Sequence, residues 1–155
     1  MRITTMSRFG TRAIFDIVYH SAGLPVQIKD ISKRQEIPIR YLGQIIHRLK
    51  KAKIVESVRG PSGGYVLARD PSEITVGDII KAVGEPTNLV FCVDPEAEDG
   101  DPCNRVEQCV TRLIWEEAGR KVTHYFNSIT IADLCKKAEK LSVKKDMKHP
   151  YDYSI

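Results

Sequence analysis

Three of the four cysteines in this 155-residue chain lie within 18 residues of one another: Cys92, Cys103 and Cys109, spaced C-x10-C-x5-C. Thiolates are soft ligands that suit iron–sulfur clusters and zinc. The C-x2-C knuckle of a structural zinc site is missing, so the spacing points to a cluster, with redox-active or inert free thiols as the alternative. Residues 92–110 hold six Asp/Glu against one Arg. A lowered thiol pKa needs positive neighbours, and these acidic surroundings weigh against a peroxide-sensing thiol. Cys135, beside Leu134 and near Ala138, reads as a buried apolar thiol.

A second chemistry sits in the other half of the chain. Residues 1–53 carry eleven Lys/Arg and three Asp/Glu, an imbalance that suits a polyanion partner. Within it, Pro38 to Ala52 reads as a basic helix with Leu42, Ile45, Ile46 and Leu49 as its buried stripe. Arg40, Tyr41, Gln44 and Arg48 fall on its remaining faces. Arginine can grip guanine through two hydrogen bonds, and glutamine can do the same for adenine. Gly43, inside this helix, costs roughly 1 kcal/mol against alanine and would allow close approach to a groove floor. Next, Val55 to Leu67 reads as two short strands around Arg59-Gly60-Pro61-Ser62-Gly63-Gly64, a hairpin with an open tip. Arg59 is placed to enter a narrow minor groove. Ser57, Gly60, Gly63 and Gly64 are placed to offer polar and backbone groups to phosphates.

These groups need a frame. Ser7 to Ala22 is a first helix, with Phe9, Ala13, Ile14, Ile17 and Val18 as its core stripe and Ser7 as a possible cap. Ile28 to Glu36 is a second, and the turn at Ile37-Pro38 joins it to the basic helix as a helix-turn-helix. Thr75 to Val83 is a short helix opened by a Thr75/Asp78 capping box, stopped by Gly84 and Pro86. From Cys92 to about Asn104 the chain is acidic and rich in turn formers, a loop. A long helix from about Asn104 to Asn127 places Cys109 in its first turns. Its apolar band, Val106, Val110, Leu113, Ile114, Val122, Tyr125 and Phe126, is wider than one small domain needs and suits pairing with a second copy. A Thr130/Asp133 capping box opens a last helix to about Leu141. The expected organisation is a winged helix-turn-helix DNA-binding domain over 1–84, a cysteine loop over 85–104, dimerisation helices over 105–141, and a loose or partner-packed tail over 142–155. The fold class is mainly α with a small β-hairpin wing.

Composition and motifs exclude other classes. Apolar residues make up 42%, enough for a core. No apolar run approaches the roughly 18 residues that span a bilayer, and the N-terminus has no apolar signal region, so the expectation is a cytoplasmic protein with no membrane partner. No nucleophile–base pair or paired carboxylates stand out, and Gly60 to Gly64 is not followed by the Gly-Lys-Ser/Thr of a phosphate loop. An enzyme is not expected.

The Arg59-Gly60-Pro61-Ser62-Gly63-Gly64-Tyr65 wing, the opening Met1-Arg2-Ile3-Thr4, the Tyr41-Leu42 pair and Ile74-Thr75-Val76-Gly77-Asp78-Ile79-Ile80, taken in this order, resemble the Rrf-type bacterial regulators. That family includes IscR, NsrR and CymR, and the resemblance covers about residues 1–140, leaning toward the IscR-like members. It implies a homodimeric winged-helix transcription factor on a palindromic or pseudo-palindromic operator, with the long helix as its dimer contact. It implies that Cys92, Cys103 and Cys109 ligate an iron–sulfur cluster, 2Fe-2S in preference to 4Fe-4S, which tunes operator affinity. Members without these cysteines sense through partners or ligands, so a cluster-free regulator is the alternative. Two positions depart from the pattern. The IscR-like histidine three residues after the third cysteine is Arg112 here, which cannot coordinate, and the N-terminal aspartate of the NsrR-like pattern corresponds to Arg8. The fourth ligand is unassigned among Asp101, Glu107, Glu116, His124 and an exogenous thiol or water.

Overall fold

The computed structural model describes residues 3–85, 88–93, 103 and 105–146. Most of the acidic loop, with Asp101 and Asn104, the opening Met1-Arg2 and the tail from residue 147 lie outside the described residues.

α1 (Thr5–Tyr19) begins earlier than the sequence pattern suggests. Its cap is Thr4, whose side chain accepts the Ser7 N–H, and not Ser7. The helix ends at Tyr19 with His20 as its C-cap, before Ala22 and Gly23 adopt positive φ. α2 (Ile28–Gln35) and α3 (Ile39–Lys51) follow across the turn at Ile37. Pro38 is the N-cap of α3 instead of its first residue. The stripe Leu42, Ile45, Ile46, Leu49 is buried against Ala13, Ile14 and Ile17 of α1. Burial of such side chains is worth about 1.5–3 kcal/mol each, and this is what fixes the orientation of α3's opposite face.

β1 (Val55–Val58) and β2 (Gly64–Leu67) pair antiparallel with Val55 opposite Leu67 and Val58 opposite Gly64. The hairpin is tied to the body by a bridge between Val26 and Tyr65, with N–H···O distances of 3.0 and 2.8 Å. α4 (Val76–Ala82) and α6 (Ile131–Lys140) each open on the expected capping box, Thr75/Asp78 and Thr130/Asp133. The two caps bridge each other, so α6 is held against α4 as well as α1. A 3-10 turn (Phe91–Val93) precedes the loop.

α5 (Val110–Asn127) starts about six residues later than the sequence pattern suggests. Residues 105–108 form turns, and Cys109 is the N-cap in extended backbone, outside the first helical turn. Its carbonyl accepts the Arg112 N–H at 3.1 Å, and its thiol sits at the mouth of the helix. Only Gly119 of α5 is buried, while Val110, Leu113 and Ile114 remain 75, 62 and 59% exposed. Residues 141–146 turn back along α1: Tyr19 Oη donates to the Val143 carbonyl at 2.8 Å and the Asp146 N–H to His20 Nδ1 at 2.9 Å.

Candidate nucleic-acid interface and cysteine site

The exposed side of α3 carries Arg40, Gln44 and Arg48, and a shallow groove of about 580 Å³ runs along it past Gly43 and His47. A Cβ built on Gly43 would meet no atom within 4 Å, so the glycine serves no packing need inside the chain. Tyr41 is half-buried, with its ring edge-on to Phe9 at 5.9 Å. This leaves it at the rim of the face. Arg48 is engaged within the chain, its guanidinium donating to the Val83 carbonyl. Lys50 Nζ donates to Ser57 Oγ at 2.7 Å, a link between the end of α3 and the wing that the residue pattern did not reveal.

Arg59 is exposed at the hairpin tip. The glycines around it have structural causes. A Cβ at Gly64 would lie 2.5 Å from the Val26 carbonyl oxygen, and one at Gly63 would collide with the Val58 carbonyl. Only glycine permits these two close approaches. The Gly63 N–H donates to the Gly60 carbonyl at 2.9 Å, so that amide is taken up by the turn. Gly60 has φ +111. The wing tip is thus shaped by its own backbone, with Arg59 and Gly60 projecting.

All four cysteines are free and half-buried. Cys92 and Cys109 are linked through Arg112. Its Nε donates to the Cys92 carbonyl at 3.3 Å, and its backbone N–H to the Cys109 carbonyl at 3.1 Å. The position where a histidine ligand was sought therefore joins the backbones of two thiol residues. Among the described residues no group of three or more His, Cys, Asp and Glu is gathered tightly enough to hold a metal ion. The donor chemistry nonetheless fits an iron–sulfur group: three thiols at the two ends of one loop, with the Arg112 guanidinium on the carbonyl of one of them. The Cys109 thiol is pulled below its ordinary range, first by the Thr111 hydroxyl at 3.2 Å, then by backbone N–H groups and Arg105. These close donors act on the thiol in the direction opposite to that expected from the acidic composition. Burial instead pushes the Cys135 thiol up.

No described helix is long and apolar enough to cross a membrane. A family model described as "Rrf2: Iron-dependent Transcriptional regulator" matches residues 3–137. The HTH-type transcriptional regulator IscR of Sodalis glossinidius is 38% identical over 143 residues, 92% of this chain and 84% of that protein. Protein rrf2 of Nitratidesulfovibrio vulgaris is 41% identical over 138 residues, 89% of each. Among solved structures, T. potens IscR superposes with a TM-score of 0.74 at 36% identity, covering 94% of this chain and 93% of that one. CymR, the global cysteine regulator of B. subtilis, gives 0.71 at 29% identity over 88 and 98%.

Proposed function

The chain belongs to the Rrf2 family of iron-dependent transcriptional regulators, and on that premise we propose that it binds a palindromic or pseudo-palindromic operator as a cytoplasmic homodimer, under the control of an iron–sulfur cluster on Cys92, Cys103 and Cys109. As a member of a family of named transcriptional regulators it is not an enzyme. The observation that carries the cluster proposal is the placement of three free, half-exposed thiols at the two ends of one loop, the last of them the N-cap of α5. A bound cluster, 2Fe-2S in preference to 4Fe-4S, would supply redox- and nitric-oxide-sensitive iron at that point. The chain's own residues do the rest. Cys109 fixes one thiol at the base of the exposed helix, while Cys92 and Cys103 bracket the loop. Arg112 holds the Cys92 and Cys109 backbones in register. The fourth ligand comes from Asp101, Glu107, Glu116, His124 or a molecule from solution. On the DNA side, Arg40 and Gln44 read base edges, Tyr41 and Arg48 flank them, and Arg59, with Ser57, Gly60, Gly63 and Gly64 around it, makes the wing contact.

Replacing Cys103 with alanine abolishes the visible absorbance of anaerobically purified protein, together with its iron and sulfide. Unchanged colour and iron content would sink the cluster proposal. Arg59→Ala weakens operator binding strongly, and no change would remove the wing from the contact set. One contact favours a second function, control by thiol oxidation without a cluster: the Thr111 hydroxyl lies 3.2 Å from the Cys109 sulfur, beside the backbone N–H groups of the helix start. Colourless, iron-free protein whose operator affinity changes on peroxide treatment, and recovers with a reductant, would select it.

A further inference from the structure

A second basic feature lies next to the reading face of α3. A cleft of about 730 Å³ opens between the C-terminal half of α3, the segment after β2, and α4. It is lined by His47, Arg48 and Lys51 from α3, Arg69 from the segment after β2, and Lys81 from α4, with one carboxylate, Asp78. That carboxylate is already engaged. It accepts the Thr75 N–H at 3.0 Å and lies 4.0 Å from Arg69. Four cations thus surround one partnered anion. They come from three separate elements, so the cluster is not the solvated face of a single helix. The Arg48 bond to the Val83 carbonyl fixes the end of α4 against α3 and keeps the walls together.

The cleft shares a wall with the reading face, since His47 and Arg48 line both it and the shallow groove beside Arg40 and Gln44. The 13 residues of α3 make a rod about 20 Å long, and the major groove is about 12 Å wide. A helix seated by its first two turns must carry its last turn onto a phosphate strand. Lys51, in that last turn, is exposed and lines the cleft. We propose that this cleft grips the DNA backbone at the edge of the half-site, with Lys51, Arg69 and Lys81 as phosphate contacts. The proposal rests on the DNA-reading function above. An open cleft that runs on into the reading face suits a continuous chain of phosphates better than a single small anion.

Phosphate contacts carry no sequence information, so their loss weakens all duplexes alike and flattens the salt dependence. The test uses the full chain, a 30-base-pair operator duplex selected from a random pool, and a scrambled duplex, with anisotropy titrations across a salt series. Each of Lys81→Ala and Arg69→Ala weakens both duplexes about fivefold at 0.15 M salt and lowers the log–log salt slope by about 0.9 per bound subunit. Lys81→Arg keeps the wild-type slope. An unchanged slope in both alanine variants, or a loss confined to the operator, overturns the clamp. If the variants keep wild-type slopes but lose pyrophosphate binding measured by calorimetry, the cleft is a small-anion site and the proposal falls. Arg59→Ala serves as the reference for the reader. If wild-type protein binds no selected duplex, DNA reading itself fails; if wild type binds, Arg59→Ala weakens it and the cleft variants do not, only the clamp fails.

Discussion

Gly43→Ala separates stability from DNA reading in one substitution. Gly43 lies within α3, and an added Cβ there meets no atom within 4 Å. Alanine therefore enters without strain and gains helix propensity, about 1 kcal/mol. For a chain of 155 residues that raises the melting temperature by about 2–4 °C. The same methyl projects from the face that carries Arg40, Gln44 and His47. Base-edge hydrogen bonds hold only over about 2.7–3.2 Å between heavy atoms, so lifting the helix by a methyl breaks one or more of them. Each two-pronged base contact is worth about 1–3 kcal/mol of discrimination, which is roughly a 5- to 150-fold loss of operator affinity. Binding to scrambled duplex, which depends on phosphates, changes far less. Circular dichroism melting and anisotropy on the two duplexes read both effects. A lower melting temperature would refute the claim that the site is sterically free. A more stable variant with full operator affinity would refute the seating of α3 in the groove by this face.

Asp16 is fully buried and takes three hydrogen bonds from Arg34, at 2.7–3.2 Å, and one from Gln35 at 2.8 Å. Asp16→Ala leaves the Arg34 guanidinium, 13% exposed, without its partner and destabilises by about 3–5 kcal/mol; a chemical-denaturation midpoint within error of wild type would contradict this. Burial pushes the Glu85 carboxyl up, but hydrogen bonds from Ser7 and from the Thr4 N–H and hydroxyl outweigh it and hold its pKa below the ordinary 4.5. A depressed carboxylate contributes stability above that ordinary value and loses it as pH falls through the lowered one. Wild type and Glu85→Gln should therefore differ in melting temperature at neutral pH and converge below pH 4.5, whereas a constant gap across that range would show that the ionised carboxylate is not what matters. Leu113→Glu, on a side chain that is already exposed, yields monomers in light scattering with little change in secondary structure, and a dimer of unchanged mass would remove α5 from the subunit contact.

The parts of this molecule readable from sequence are those set by short-range physics. The capping boxes at Thr75 and Thr130 place two helix starts because the reciprocal hydrogen bonds span three residues. The stripe of α3 is buried as its spacing dictates, and the hairpin follows from its turn residues. What was not legible depends on groups far apart in the chain. Glu85 sits between Gly84 and Pro86, the two residues that read as the helix stop, and shows no signal of its own, yet it binds Thr4, 81 residues away. Gly64 reads as turn chemistry, whereas its lack of a side chain answers to the Val26 carbonyl. Asp16 did leave a signal, a carboxylate between Ile14 and Ile17 on an apolar stripe, which demands a buried partner. The start of α5 was misplaced because Val106 and Val110 keep helical spacing across a stretch that instead forms turns, and nothing local marks Cys109 as the boundary.

The hydrogen bonds also constrain how the cysteines can act on the reader. The carbonyl of Val83 is bound by Arg48 from α3, and two residues on, Glu85 is bound by Thr4 and Ser7 at the start of α1. Residues 83–85 are thus fastened to the recognition helix and to the first helix at once. Cys92 follows within seven residues, and its carbonyl is held by Arg112 on α5. The inward side of α3, Leu42, Ile45, Ile46 and Leu49, is wholly enclosed in the core, and close-packed interiors do not deform gradually. A change at the cysteines therefore meets a rigid body on one side, at the 83–85 joint, and on the other α5, which packs on α4 and on the 91–93 turn yet fully buries only Gly119. On the proposed cysteine-controlled dimer, a signal at the thiols is therefore expected to change how two copies of the reader are set apart, and so binding to operators with two half-sites, while the shape of each α3 and its wing stays the same.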